Sequence, residues 1–293
     1  MLLNRQISIL YFVNQIKWQL ILIVTFALSV GYLHLNPVFY GIDVPLNVLT
    51  LIGTVVTILL AFRTSQSYER WWEARIVWGA IVNDSRTFIR EVAQFLSTSE
   101  PGEVKVFAER QIIWTYCLGE SLRKLPFSSK VQDYINNNHI HGTNIPNAIL
   151  EAHSKQISEL VVQGKISEFK QLQLNETLSR LCDSMGKCER IKNTVFPRSY
   201  SFMLHVIIYV FTALLPFGLD HSKLAIEIIL SVLIPVMFIS IEKTAILMQD
   251  PFENTPVDTP MTSIAQTIEI NIRQMIDDKQ IPVKEDKGLY YEM

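Results

Sequence analysis

The chain has 293 residues, of which 49% are hydrophobic and 18% are charged, and its formal net charge is −2 at pH 7. The absence of a basic excess argues against a dedicated nucleic-acid-binding protein, because such proteins carry a strong positive field. The abundance of large aliphatic residues excludes an intrinsically disordered chain. The average composition still allows a soluble protein, whereas the order of the charges along the sequence does not.

Four stretches of the sequence are poor in charged residues. Residues 18–42, 44–62 and 199–219 contain no Asp, Glu, Lys or Arg, and residues 228–241 form a shorter uncharged run. A bilayer core of about 30 Å requires about 20 residues of α-helix. We therefore predict an all-α membrane protein with four transmembrane helices, at about 17–37, 44–62, 199–219 and 224–248.

The distribution of basic residues predicts how these helices are oriented. Residues 63–198, between the second and third helices, carry most of the Lys and Arg residues, whereas the two short loops have only Lys223. Because loops that stay in the cytoplasm are enriched in Lys and Arg, we expect both termini and residues 63–198 to be cytoplasmic in the cell (inner) membrane. The C-terminal segment 249–293 is then cytoplasmic as well.

The sequence of the cytoplasmic part predicts a helical bundle. Apolar residues recur at helical spacing in five segments, at about 66–97, 103–125, 145–162, 165–194 and 259–278. A proline-containing turn, DPFENTPVDTP, starts at Asp250 and separates the last of these segments from the fourth transmembrane helix. We expect the membrane helices to continue into the bundle without a domain boundary, so that residues 1–293 form a single integrated subunit.

The second transmembrane helix has a distinctive face. With 100° between successive residues of a helix, six residues fall on one side: Asn47, Thr50, Thr54, Thr57, Ile58 and Phe62. Those nearer the start of the helix, which we call its upper part, are polar, and those nearer its end, the lower part, are apolar. Repeated around a symmetric assembly, the apolar side chains would form a constriction that gates a pore by dewetting. Packing between helices is the alternative, and spacing alone favours it, because Thr is common where membrane helices meet.

No motif points to an enzyme, a metal site or a cofactor. His139 and His141 lie in an Asn-rich stretch without neighbouring acidic or Cys residues. Cys117, Cys182 and Cys188 do not have a zinc-binding spacing, and in the reducing cytoplasm we expect them to be free thiols. We therefore expect no catalytic residue, no metal and no cofactor.

A family resemblance comes from the block that follows the second transmembrane helix. From Arg63 to Arg86 it reads RTSQSYERWWEARIVWGAIVNDSR, and further matches are CERI at 188–191 and DPF at 250–252. With the order of the helices, these segments resemble the bestrophin family in its bacterial form, over about residues 20–270. The resemblance implies a homopentameric ion channel in which the second transmembrane helix lines a central pore.

The resemblance also assigns roles to particular residues. It implies a pore neck at Thr54, Ile58 and Phe62, so the channel interpretation of this helix face replaces the packing interpretation, and Asn47, Thr50 and Thr57 become the upper pore lining. The family often has a larger apolar residue at the position of Thr54, so we expect a wetter upper neck here. A second, cytosolic aperture is expected at Ile191, with Thr194 as the alternative.

The sequence says little about the charge of the transported ion, because the predicted neck has no ring of charged side chains. Well-known bestrophins conduct chloride, so the resemblance implies passive conduction of anions. A monovalent cation channel for sodium or potassium is the alternative, and a membrane-anchored cytosolic binding module is a further one. The expected partners are other copies of the chain, membrane lipid and the permeating ions, and no nucleic acid.

Eukaryotic bestrophins bind calcium through an acidic cluster near the end of the fourth transmembrane helix. In this chain the acidic residues of that region, Asp250, Glu253 and Asp258, are separated from one another. Calcium prefers six to eight oxygen ligands. We therefore expect an ordinary turn here and no calcium site.

Overall fold

A computed structural model describes residues 9–35, 43–96, 101–194 and 196–283. Within these ranges the regular structure is entirely helical, so the all-α prediction is confirmed. The α-helices are α1 (Ile9–Leu33), α2 (Leu46–Phe95), α3 (Pro101–Leu122), α4 (Ser129–Asn137), α5 (Ile145–Val162), α6 (Glu168–Asn193), α7 (Arg198–Leu214), α8 (Leu224–Gln249) and α9 (Met261–Met275). The predicted end of the first transmembrane helix, at 37, and the tail beyond 283 lie outside the described residues.

Four of the described helical segments are long and apolar enough to cross a membrane, and they overlap the four predicted ones. They are Val13–Leu33, the apolar first part of Leu46–Phe95, Arg198–Gly218 and Leu224–Gln249. The helix α2 has 50 residues. At 1.5 Å per residue it is about 75 Å long, so it extends far beyond a bilayer core of about 30 Å.

Contacts between residues divide the described chain into two compact units. The apolar unit comprises the described residues of 9–70 and 195–250, and the bundle unit comprises those of 71–194 and 251–283. The apolar unit contains α1, α7, α8 and the first half of α2. The bundle unit contains the second half of α2 together with α3 to α6 and α9.

Small residues allow the helices of the apolar unit to pack closely. A Cβ atom placed on Gly31 of α1 would lie 3.0 Å from the side chain of Ile228 on α8. A Cβ atom on Gly53 of α2 would lie 3.3 Å from the ring of Phe211 on α7. Glycine at such positions permits close approach of membrane helices, where dispersion contacts replace the hydrophobic effect as the source of attraction.

The bundle unit has an aromatic and aliphatic core. Its largest fully buried side chains include Trp78, Phe88, Phe107, Trp114 and Phe252. The predicted helical segments from 66 onward all coincide with helices of the structure, whereas α4 has no counterpart among them. This nine-residue helix contributes only two buried side chains to the core, so its apolar pattern is too short to stand out in the sequence.

The three cysteines are free in the structure, as expected. Burial raises the pKa of Cys117 and of Cys188 to about 12, so these two thiols stay protonated and unreactive. Cys182 is exposed on α6.

A buried histidine lies at the centre of the bundle unit. His153 of α5 is completely inaccessible and stacks on Phe107 at a ring-centroid distance of 5.5 Å, with Phe88 at 4.9 Å in edge contact. Neither ring nitrogen has a hydrogen-bond partner among the described residues. Burial lowers the pKa of His153 well below its ordinary value, and the neighbouring charge of Arg110 lowers it further. The imidazole is therefore neutral in the folded bundle.

This neutral histidine predicts an acid-sensitive bundle. Below about pH 6.5 the unfolded chain binds a proton at His153 that the folded chain does not, so this residue lowers the unfolding free energy by about 1.4 kcal/mol between pH 7.5 and pH 5.5. His153→Phe should reduce the drop in thermal unfolding temperature over that interval, measured in detergent. The exposed His141→Gln serves as the control and should keep the wild-type drop; an equal drop in all three proteins would contradict the assignment.

Candidate pore face on helix α2

The first half of α2 presents two different faces. Its buried face carries Leu49, Val56 and Leu60, which pack in the apolar core shared with α7. Among the described residues, the opposite face makes no such contact. All six residues that the sequence places on one stripe lie on this exposed face: Asn47, Thr50, Thr54, Thr57, Ile58 and Phe62. We refer to this stripe as the pore face.

The threonines of the pore face bond to their own helix. The hydroxyl groups of Thr50, Thr54 and Thr57 donate to the carbonyl oxygens four residues earlier, at 2.9, 2.7 and 2.8 Å. Because each hydroxyl proton is used within the helix, the outward side of each threonine offers oxygen lone pairs and a methyl group. The threonines of the upper pore face therefore present hydrogen-bond acceptors and small apolar groups, and Asn47 adds a side-chain amide.

The lower pore face is apolar and strongly exposed. Ile58 is 55% exposed and Phe62 is 66% exposed in the single chain. Large apolar side chains that are left uncovered on one face of a helix indicate a surface that another molecule, a lipid or a second copy of the chain covers. The structure thus keeps Thr54, Ile58 and Phe62 on one face, as the sequence predicts.

A buried ionic network lies next to the lower end of this face. Arg63, the residue after Phe62, turns away from it and donates to Glu242 of α8 at 3.4 Å. Both side chains are at most 3% exposed. The ring of His205 on α7 lies 3.2 Å from the same carboxylate, and the guanidinium of Arg63 lies over the ring of Phe196 at 5.4 Å. This network ties α2 to α7 and α8.

The tyrosine hydroxyl of α7 makes a second link to α2. Tyr200 donates to the backbone carbonyl of Leu59 at 2.8 Å, three residues before Phe62. Together with Arg63 and Glu242, this bond fixes the rotation of α2 about its axis. The orientation of Phe62 therefore depends on polar contacts on the other side of the helix.

A second buried polar contact joins α8 to the residue that follows α1. His34 Nδ1 lies 2.6 Å from Glu227 Oε1, and both side chains are at most 2% exposed. The two glutamates that bound the last uncharged run of the sequence, Glu227 and Glu242, thus both face protein, because a buried carboxylate requires a charged or hydrogen-bonding partner.

The two candidates for the cytosolic aperture occupy different environments. Ile191 of α6 is 3% exposed and belongs to the core of the bundle unit. Thr194 caps the end of α6, is exposed, and donates its hydroxyl to the carbonyl of Arg190 at 2.7 Å. Of the two, Thr194 is the one whose side chain is exposed in the single chain.

The acidic turn after α8 is organised by one of its own carboxylates. Asp258 is 1% exposed and accepts hydrogen bonds from the backbone N–H of Thr255, at 3.0 Å, and from its hydroxyl. Burial raises the pKa of Asp258, although these hydrogen bonds oppose the shift. Within the described ranges, no three His, Cys, Asp or Glu side chains are grouped as a metal site requires. The absence of a calcium site stays a prediction.

Four described helices of membrane-spanning length indicate a helical membrane protein. The family described as bacterial/fungal bestrophin matches residues 6–274, so the chain belongs to the bestrophin family. This membership confirms the family resemblance found in the sequence and the expectation that the chain is not an enzyme.

Two bacterial relatives align with nearly the whole chain. The chain is 31% identical over 278 residues to the voltage-dependent anion channel-forming protein YneE of Escherichia coli K12, an alignment that covers 93% of this chain and 91% of the relative. It is 26% identical over 272 residues to the voltage-dependent anion channel-forming protein RSc3414 of Ralstonia nicotianae, covering 91% and 89%.

The fold also matches a crystal structure. A bacterial bestrophin homologue from Klebsiella pneumoniae superimposes with a TM-score of 0.82 at 27% identity, over 90% of this chain and 99% of the homologue. The alignment includes residues of both units.

The buried network predicts a large effect of one neutral substitution. Glu242→Gln removes the charge that compensates the buried Arg63, and breaking such a pair costs about 3–5 kcal/mol. We expect a marked loss of thermal stability in detergent. Glu176→Gln makes the same change in an exposed pair with Arg180 and should cost about 0–1 kcal/mol. Equal losses in the two variants would contradict a buried anchoring role for Glu242.

Proposed function

We propose that the chain is one subunit of a homopentameric ion channel whose central pore is lined by the pore face of α2. The observation that carries this proposal is the uncovered stripe of α2, because the subunit covers the opposite face and leaves this one for other copies and for ions. Asn47, Thr50 and Thr57 line the upper pore. Thr54, Ile58 and Phe62 form the neck, in which two apolar rings oppose the entry of water.

The proposed pore passes monovalent anions such as chloride passively. Two relatives that align with about nine-tenths of the chain are named as anion channel-forming proteins, which supports this choice. Between Asn47 and Phe62 the pore face carries no charged side chain, so an anion would meet no fixed negative group in this part of the pore.

A monovalent cation channel of the same architecture is the second candidate. The threonines donate their hydroxyl protons within α2 and so present lone pairs outward, and oxygen lone pairs solvate cations. The sign of the ion is tested by the reversal potential of the reconstituted protein under a potassium chloride gradient. Reversal near the chloride equilibrium potential supports the anion channel, and reversal near the potassium potential rejects it.

The topology belongs to the same proposal. Both termini and the bundle unit are cytoplasmic, and the membrane is the inner membrane of a bacterial cell, because basic residues concentrate between the second and third membrane helices. Thr194 is the better candidate for a cytosolic aperture, since Ile191 is enclosed by its own subunit.

The neck predicts that smaller side chains increase flux. Ile58→Ala and Phe62→Ala widen and wet the apolar rings, and a barrier lowered by only about 1.4 kcal/mol raises the rate about tenfold. We expect a rise of this order in ion flux from liposomes that contain the full-length variants.

The matched control is Val210→Ala on α7, an apolar residue that is 45% exposed but does not lie on the pore face. Its flux should equal that of the wild type. Unchanged flux in Ile58→Ala and Phe62→Ala would favour the membrane-anchored binding module, in which the membrane helices serve only as anchors.

A further inference from the structure

The pore face continues below the neck to a carboxylate. Glu69 follows Phe62 by seven residues and Ile58 by eleven, and on a helix of 3.6 residues per turn each interval returns to within about 20° of the same direction. Glu69 is exposed. It therefore lies on the same stripe as the proposed neck, about two turns further along α2.

Two neighbours on α2 hold this carboxylate towards the neck. The Ser65 hydroxyl donates to Glu69 Oε1 at 3.3 Å, and the Gln66 side-chain amide donates to Oε2 at 3.4 Å. Both donors precede Glu69 by about one turn, and side chains of an α-helix lean towards its N-terminus. The negative charge thus lies at the level of Ser65, about one turn below Phe62.

The basic residues of this part of α2 do not offset the charge on the pore face. Arg63 is buried against Glu242, and Arg70 donates from Nε to the backbone carbonyl of Gln249 at 2.9 Å. Between residues 46 and 70 of α2, all of which the structure describes, Glu69 is the only charged residue on the exposed stripe.

We propose that Glu69 is a selectivity-determining residue, whose carboxylate raises the local concentration of monovalent cations at the cytosolic side of the neck and so limits the preference of the proposed pore for anions. This inference rests on the proposed function, because five copies of α2 around a pore convert one exposed carboxylate into a ring. Rings of charged side chains near a constriction set the relative entry of ions of opposite sign. The sequence pattern that reveals Glu69 is the continuation of the neck spacing past the end of the apolar stretch.

The test uses full-length protein in planar bilayers under a potassium chloride gradient. Glu69→Gln keeps the size of the side chain and removes its charge, so the chloride-to-potassium permeability ratio should rise about threefold or more. Glu69→Lys should raise the ratio further. Glu69→Asp retains the charge, so its permeability ratio should stay close to that of the wild type.

Salt provides a second measurement on the wild type alone. Screening shortens the Debye length from about 10 Å at 0.1 M to about 3 Å at 1 M, so the permeability ratio of the wild type should approach that of Glu69→Gln at high salt.

A wild-type reversal potential in Glu69→Gln and Glu69→Lys, together with flux that responds to Ile58→Ala, would overturn this inference alone. Absence of flux, or equal flux in the wild type and in the neck variants Ile58→Ala and Phe62→Ala, would overturn the proposed function and this inference with it.

Discussion

The unequal covering of the two faces of α2 is the constraint on which the rest of the structure depends. Leu49 and Val56 are enclosed by the subunit, whereas Ile58 and Phe62, on the other side of the same helix, are more than half exposed. Large apolar side chains that are left uncovered, such as Ile58 and Phe62, indicate a surface that another molecule covers. In a symmetric assembly, the bare side would enclose the ion pathway, and the buried side would hold the helix in place.

Polar contacts on the buried side of α2 hold the helix in this orientation. Arg63, Glu242 and Tyr200 tie α2 to α7 and α8 within about one turn of Phe62. A rotation of α2 would break the buried pair of Arg63 and Glu242, which is costly in a low-dielectric environment. The position of the proposed neck thus follows from contacts on the buried side of α2.

The sequence predicts the elements of this fold better than their contacts. Charge-free runs reveal the four membrane-length helices, because length and hydrophobicity suffice, and the 100° spacing reveals the stripe from Asn47 to Phe62. The pairing of Arg63 with Glu242 joins residues 179 positions apart, so it depends on how the helices pack. The burial of Ile191 depends on the same packing, since the sequence motif does not show which side of α6 faces the core.

The central claim is that the exposed stripe of α2 lines the conduction pathway. The most direct measurement is the effect of a charged, membrane-impermeant thiol reagent on ion flux through Thr54→Cys, in a background where the exposed Cys182 is replaced by Ser. The account predicts block in this variant and no effect on Val210→Cys, which is exposed on α7. Modification of Thr54→Cys without any change in flux, or equal block of both variants, would contradict it.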